Sequence, residues 1–468
     1  MKQRIRNRLE EIFKERVFFG LEERLCYSFD ATNKRHIPDC VAFPRGREEV
    51  VLTVALAAAE SVPVIPRCAG SGFSGGTAAV GGGLVLSFEM MNSVKKVDRD
   101  TQTAVVQPGV VTQDLQARAA ASGLLYPPDP ASLSFSMIGG NIGTNAGGPR
   151  GLKYGTTRDY VKGLDVAVPA FGEVRTESTG RGFDVTPLFV GSEGTLGAIV
   201  EARLRLVKAP EVTATILACF RGMAGAANVL DALIGSGTIP STAEFIDQPT
   251  MECAFGASEA DREIASSNVL IIELDGWKGE VQEEAQKVMD ICRGGGASPV
   301  RFARDEEERT RIWSIRRSIS PTLARVAPNK LNPDVCVPRS SLVDYLSAVS
   351  DLATEYSVRI FNFGHAGDGN IHTNIMYDAS DSAEAANAER ALADLFAITL
   401  KLGGAVSGEH GIGVARREVL PLQVGRRELE LRRKYKQVFD PANIMNPGKG
   451  TGPYFALSGY VGSQDINF

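Results

Sequence analysis

The 468-residue chain is short of several things, and each shortage narrows what it can be. Its seven cysteines (Cys26, Cys40, Cys68, Cys219, Cys253, Cys292 and Cys336) are scattered, odd in number and without a C-x-x-C pair. That spacing excludes a disulfide framework, a zinc ribbon and an iron–sulfur cluster of its own, and it predicts a reducing, cytoplasmic setting. No apolar run reaches membrane-spanning length; the longest, around residues 50–59, fits a buried helix. The first eleven residues have no apolar core of the kind a secretory signal needs. Neither sign of charge dominates: Lys+Arg 51 against Asp+Glu 56 leaves a net charge of -5, so no basic field favours nucleic acid. The basic clusters at 2–8 and 426–436 are interleaved with apolar and acidic residues, as solvated helix faces are. There is no repeat and no low-complexity segment.

Histidine is the scarcest chemistry-bearing residue, with four in the chain. Two of them, His365 and His372, fall in Asn362-Phe-Gly-His-Ala-Gly-Asp-Gly-Asn-Ile-His-Thr-Asn374. A third, His410, follows Glu409 in Ser407-Gly-Glu-His-Gly-Ile-Gly413. Imidazole is the commonest transition-metal ligand and the usual acid/base group near neutral pH. One histidine alone would read as an ordinary surface or core residue. Three of four, with a carboxylate, in two glycine-rich runs predict a site.

The length calls for two or three domains. Residues 1–36 read as one or two polar helices. From residue 41 the pattern is mixed: a helix at 50–60, strands at 62–65, 84–88 and 104–107, and a helix at 111–122. A proline-marked boundary falls at Lys208-Ala209-Pro210. Beyond it come a strand (212–220), a helix (223–234), strands (241–246 and 268–274), a helix (279–292) and a strand (299–303). That is the split β-α-β-β-α-β order of ferredoxin-like sheets. Helices are expected at 306–326, 342–356, 382–402 and 416–438, with the His365/His372 region extended.

Three glycine-rich runs precede the histidines. Residues 62–76 read as a strand entering the loop Pro66-Arg-Cys-Ala-Gly-Ser-Gly-Phe-Ser-Gly-Gly76, whose main-chain N–H groups can hold phosphate oxygens because no side chain blocks the approach. Gly70-x-Gly72-x-x-Gly75 also satisfies the Rossmann fingerprint, with Glu89 where a ribose carboxylate would fall. The Rossmann reading is rejected, because residues 76–83 cannot supply the helix that must follow. Pro127-Pro-Asp-Pro-Ala-Ser132 with Met137-Ile-Gly-Gly-Asn-Ile-Gly-Thr-Asn-Ala-Gly-Gly148, and Gly191-Ser-Glu-Gly-Thr-Leu-Gly197, offer further polar and backbone approaches. Together they predict one long ligand, such as a dinucleotide, bridging several loops.

These runs resemble the FAD-binding signatures of the vanillyl-alcohol-oxidase / p-cresol-methylhydroxylase fold. The histidine runs are similar to those of the FAD-linked D-2-hydroxy-acid dehydrogenases, the bacterial D-lactate dehydrogenase and glycolate oxidase flavoprotein branch, to which D-2-hydroxyglutarate dehydrogenases also belong. The resemblance covers roughly residues 37–450. It implies an α+β chain: an N-terminal helical segment (1–36), a two-subdomain FAD-binding domain (37–209), a ferredoxin-like substrate or cap domain with the metal site (210–408), and a C-terminal helical segment (409–468) returning to the FAD domain. The cofactor-binding residues it implies are Pro66, Arg67, Cys68, Ala69, Gly70, Ser71, Gly72, Ser74 and Gly75; Pro128, Asp129 and Ser132; Gly139, Gly140, Asn141, Gly143, Thr144, Asn145, Gly147 and Gly148; and Glu193, Gly194, Ile199 and Asn446. Some members of the wider fold attach the flavin through a histidine. Here none lies between His36 and His365, and Cys68 reads as a small loop residue, so non-covalent FAD is expected.

Oxidising a 2-hydroxy acid requires a neutralised carboxylate, an acidified alcohol and a base. A divalent metal can do the first two. His365, His372 and Glu409 form a zinc-type ligand set with open positions, and the resemblance places the family's metal there: Zn2+ first, Fe2+ or Mn2+ as alternatives. On a strand Glu409 and His410 would diverge; Gly408 and Gly411 allow a turn that brings both to one pocket. His410 is then the candidate general base. Asn374 shares the face of His372 and is a candidate substrate contact, while Asp368 and Asn370 read as turn or supporting residues. Arg316 and Arg317 offer a carboxylate clamp, and the resemblance favours Arg316; Ser320 and Lys330 are further candidates.

The expected activity is metal-assisted oxidation of a D-2-hydroxy acid, D-lactate or glycolate favoured, by hydride transfer to flavin N5. Electrons would pass to a partner, an iron–sulfur subunit or an electron-transfer flavoprotein, or to another acceptor, oxygen included. The location is cytoplasmic, with membrane contact only through a partner, and homo-oligomer formation is left open. The alternatives are a same-fold enzyme with another substrate (D-2-hydroxyglutarate, or ether-lipid synthase chemistry) and a non-catalytic FAD-binding subunit.

Overall fold

Three large β-sheets and one two-stranded pair, Leu124–Leu125 with Val207–Lys208, carry the fold in the computed structural model, which describes residues 1–178, 182–255 and 262–450. Residues 451–468 of the C-terminal segment lie outside these. The first sheet has four strands in the order Val17–Phe18, Cys40–Ala42, Leu84–Ser87, Val64–Arg67. Its last three are parallel, and the helix Arg47–Glu60 makes the crossover. Such strands are buried on both faces and so read as continuous apolar runs rather than alternating ones: Leu84–Ser87 is buried throughout. The N-terminal residues are not helices alone, as expected, because Val17–Phe18 pairs with Cys40–Ala42. The helix Gln3–Phe13 buries Ile5, Leu9 and Phe13, one stripe at four-residue spacing, each worth about 1.5–3 kcal/mol.

The second sheet is a five-stranded antiparallel layer in the order Val94–Asp98, Thr103–Val106, Ala198–Arg205, Val161–Val168, Gly172–Arg175. Ala198–Arg205 alternates buried and partly exposed residues, the period-two signature of a sheet with one face in the core. Between the two sheets lie the glycine loops. Gly70–Gly75 is followed by loop and then by the strand Leu84–Ser87, with no helix between, and Glu89 is taken up by Tyr27 and Ser87. Both facts agree with rejecting a Rossmann unit. One stretch read as loop is helical: Ile138–Thr144 forms two turns despite three glycines, because Ile138 and Ile142 are buried in the core beneath the second sheet.

The third sheet has eight strands. Its first four, in the order Val300–Phe302, Val212–Phe220, Asn268–Gly276, Thr242–Ile246, are antiparallel neighbours, with the helices Met223–Gly235 and Lys278–Gly294 packed against the same apolar core. This is the split β-α-β-β-α-β unit expected from sequence. The sheet then continues through Arg359–His365 and Asn370–Tyr377 to the short strands Asn329–Leu331 and Asp334–Cys336. Those two short strands escaped the sequence reading, since three residues are too few to show a period. The helix expected at 416–438 is broken into Leu420–Gln423 and Arg426–Phe439, with Gly425 as the N-cap of the second. After it the chain returns to the first sheet, where Val64 donates to the Ile444 carbonyl (2.8 Å) and Asn446 donates to that of Val64 (2.8 Å).

Candidate active site

His365 closes one strand and His372 sits on the next, and a four-residue turn joins them. Pairing sets Phe363 opposite His372 and His365 opposite Asn370. The two imidazoles meet edge to face, ring centres 5.1 Å apart. Glu409 arrives from the second glycine run and places Oε1 3.4 Å from His365 Nε2 and 3.7 Å from His372 Nε2. These three residues each bring one donor atom to a common point, all within 4.8 Å of one another. His410 lies parallel to His372, ring centres 5.4 Å apart and 5° from coplanar directions, with its Nε2 4.0 Å from Glu409 Oε1. Glu409 and His410 therefore do converge. Gly408 is required for this, because a Cβ there would stand 2.5 Å from the Asn370 side chain.

Two buried carboxylates, which the sequence did not single out, hold the cluster from behind. Glu244, on the strand next to Arg359–His365 and directly opposite His365, takes His365 Nδ1 on one oxygen and Arg316 Nε on the other, the latter at 2.5 Å. Burial alone would push the Glu244 carboxyl up; His365 and Arg316 hold it far below the usual range. The His365 imidazole, which burial would depress, is raised well above its ordinary value by Glu244 and Glu409. Asp334, opposite His372 across a strand pair, sets Oδ1 3.3 Å from His372 Nδ1 and Oδ2 3.7 Å from His410 Nδ1. Burial lowers His410 to about 4 against the pull of Asp334, so the ring is neutral at neutral pH and a nitrogen lone pair is free. Acids are common in any chain; only these long-range strand registers mark Glu244 and Asp334, so no local pattern announces them.

Arg316 comes from the helix Glu306–Leu323, its guanidinium 4.4 Å over the Phe363 ring, whereas Arg317 and Ser320 are exposed on that helix. Lys330 extends over the Phe73 ring, 5.6 Å from its centre, and Phe73 lies 5.1 Å from the His410 ring. Asn374 is fully buried. Its amide donates to the His372 carbonyl (2.9 Å) and accepts from Asn332 (3.0 Å), contacts it would have to give up to reach a ligand.

The glycine runs line a cavity that Glu409 and His410 also border. From the expected cofactor set, Pro66, Cys68, Ala69, Gly70, Ser71, Gly72 and Ser74 line it, as do Ser132, Gly139, Gly140, Asn141, Gly143, Thr144, Glu193, Gly194 and Ile199. The others stand one layer back. Arg67 binds the Phe29 carbonyl (2.8 Å) and Thr77 (3.0 Å); Gly75 meets Val414; the Pro128 carbonyl accepts from Gln116 (3.0 Å). Asp129 pairs with Arg150 (3.3 Å) beside Gly148; burial pushes its carboxyl up to about 7 despite Arg150. Asn145 accepts from the Arg158 N–H (2.8 Å), and Asn446 donates to the carbonyls of Gly76 (2.9 Å) and Glu193 (2.6 Å). Gly147 abuts the Glu409 carboxylate. Asp30 and Phe73 line the cavity without having been foreseen; Asp30 belongs to the N-terminal segment that read as plain helix.

The lining fits a flavin dinucleotide. A side chain at Gly72 or Gly143 would project into open space, and Ser74 Oγ and Asp30 Oδ2 are buried without a hydrogen-bond partner. Cys68 also lines the cavity, and burial pushes its thiol up to about 12.

Fold and cavity thus define a flavin-dependent oxidoreductase, and comparison with known proteins makes the class explicit. Residues 38–178 match the family described as FAD binding domain and residues 209–450 the family described as FAD linked oxidases, C-terminal domain. The chain belongs to the FAD-linked oxidases. Among curated relatives it is 40% identical over 431 residues to glycolate oxidase subunit GlcD of Bacillus subtilis, covering 91% of this chain and 92% of that protein. It is 30% identical over 460 residues to D-lactate dehydrogenase of Anaerostipes hadrus, covering 94% and 96%. Among solved structures, substrate-bound p-cresol methylhydroxylase superposes with a TM-score of 0.80 at 16% identity, covering 97% of this chain and 98% of that one; that likeness is of fold.

Proposed function

We propose that the protein oxidises a small D-2-hydroxy acid, glycolate or D-lactate first, to the 2-oxo acid. The observation that carries this reading is that Glu409 and His410 border the flavin cavity while they complete the His365/His372 cluster. The relatives named for glycolate and D-lactate support the substrate class. Bound FAD would accept the Cα hydrogen with its two electrons. His365, His372 and Glu409 fit a divalent cation: their donors converge, and the far nitrogen of each imidazole faces a buried carboxylate, the arrangement that orients histidine ligands. Such an ion, Zn2+ by donor type, would polarise the substrate's hydroxyl and carboxylate oxygens.

The chain's own residues do the rest. His410, neutral and stacked on His372, takes the hydroxyl proton. Arg316, its Nε fixed by Glu244, turns the remainder of its guanidinium to the substrate carboxylate, a planar match. Lys330, over Phe73, adds positive charge, and Asn374 holds the strand that presents His372. We read residues 37–209 as the flavin domain, 210–408 as the substrate domain and 409–468 as a returning segment. Reoxidation is assigned to a partner protein or diffusible acceptor; among the described residues no cysteine joins a metal-holding group, and no helix is long and apolar enough to cross a membrane.

A dye-linked assay over glycolate, both lactate enantiomers and D-2-hydroxyglutarate tests the proposal, with the 2-oxo product identified. The expected result is turnover of a D acid or glycolate and none of L-lactate. No turnover of any of them by a protein whose flavin dithionite reduces normally would reject it. Arg316→Met should raise KM and lower kcat/KM about 10–100-fold, the loss expected when one partner of a charged hydrogen bond goes. In the cavity lining, Asp30→Ala should weaken FAD binding about tenfold, read by quenching of flavin fluorescence; an unchanged Kd would show that Asp30 only shapes its own turn.

A further inference from the structure

We infer that Asp334 is the positioning residue that makes Glu409 and His410, neighbours in the chain, face one pocket. Adjacent residues of an extended segment point to opposite sides, so their convergence needs a cause. Asp334 Oδ2 accepts hydrogen bonds from three successive backbone N–H groups, those of Gly408 (3.1 Å), Glu409 (2.9 Å) and His410 (2.8 Å). Its own carbonyl takes Gly408 N–H as well (2.8 Å). Successive N–H groups wrapped on one anion curl the backbone into a concave nest, and the side chains on its rim then splay toward the cavity. Ser407 closes the turn, its hydroxyl accepting from Gly411 N–H (2.9 Å). Arg416 secures the far side, donating to the carbonyls of Gly411 and Asn332, both at 3.0 Å.

The same carboxylate addresses the two stacked imidazoles. Oδ1 lies 3.3 Å from His372 Nδ1 and Oδ2 3.7 Å from His410 Nδ1; both nitrogens are buried without a hydrogen-bond partner, and this carboxylate is the charge they face. A carboxylate on that side favours the N–H on Nδ1 in both rings. Both Nε2 lone pairs are then presented to the cavity side, one to the cation site and one to the substrate proton. One fully buried side chain so couples the turn, the ligand and the base. Its place in the fold comes from the short strand Asp334–Cys336 pairing with His372 opposite Asp334.

The inference rests on reading His365, His372 and Glu409 as cation ligands, and wild-type Zn2+ binding tests that reading separately. In the FAD-loaded protein, Asp334→Asn replaces one carboxylate oxygen by an amide N–H, which must face either the backbone nest or His372 Nδ1. Zn2+ affinity, measured by competition with a chromophoric chelator, should fall about 10–100-fold. FAD affinity should stay within about twofold, and flavin reduction by substrate should slow through kcat more than KM. A merely structural Asp334 would lower the unfolding midpoint without moving Zn2+ affinity or kcat, and that outcome overturns the inference. Should the variant not fold, the wild type still decides. With four histidines in the chain, nitrogen-15 histidine spectra of the holoprotein resolve the tautomers. Nδ1–H at both His372 and His410 supports the inference; Nε2–H at His410 contradicts it.

Discussion

Replacing His410 by Gln should leave the protein yellow and folded while slowing anaerobic flavin reduction by a D-2-hydroxy acid about 10²–10⁴-fold, the usual contribution of a positioned general base. His410 reaches the cavity from a turn anchored by Asp334 and Glu193, whose carboxylate accepts the Ile412 and Gly413 N–H groups at 2.6 and 2.7 Å. Its ring packs between His372 and Phe73. Glutamine fills a similar volume and keeps polar atoms but has no basic ring nitrogen to receive the substrate's proton. The cavity is lined chiefly by the first two glycine runs, so Kd for FAD should change little. Stopped-flow absorbance gives the reduction rate, and flavin fluorescence gives the affinity. Retained reduction at near wild-type rate would move the base elsewhere.

The second large effect concerns the cation. Glu409→Gln should lose tightly held metal and slow flavin reduction about 10³-fold, several kcal/mol of lost polarisation. Glu409 Oε1 is the atom both imidazole Nε2 groups approach, so neutralising it removes the only negative charge among the three donors. His365 also depends on it: Glu409 and Glu244 together hold that imidazole's pKa well above its ordinary value. Metal content by mass spectrometry and restoration of wild-type rate by added Zn2+ after chelation are the checks. A chelated wild type that keeps full rate would remove the cation from the mechanism and leave Arg316, Lys330 and the protonated His365 to balance the substrate's charge.

What the chain discloses before folding is its local chemistry. Gly70–Gly75, Ile138–Thr144 and Gly191–Gly197 are legible because backbone approach to a large ligand needs glycine in runs, and runs are visible. His365, His372 and the Glu409-His410 pair are legible because histidine is scarce here. The split unit from Val212 to Phe302 is legible because its strands and helices are long enough to show a period. Glu244, Asp334 and Asp30 are not legible. Each is one acid among 56 acidic residues, and its role follows from strand partners or loop packing remote in sequence: 121 residues for Glu244 and His365. The helical turn at Ile138–Thr144 was hidden for a different reason: tertiary burial of Ile138 and Ile142 overrides the low helix propensity of the glycines. A short strand such as Asp334–Cys336 has no period to read, yet it carries the residue on which the turn is built.

The central claim is that the glycine-lined cavity and the histidine cluster form one site in which a 2-hydroxy acid reduces flavin. The absorbance spectrum of the purified, FAD-loaded protein, recorded anaerobically before and after adding glycolate or D-lactate, tests this most directly. The account predicts bleaching of the oxidised flavin band with the matching 2-oxo acid formed in equal amount. A spectrum unchanged by either acid, and by D-2-hydroxyglutarate, in protein that holds both FAD and Zn2+ would contradict it.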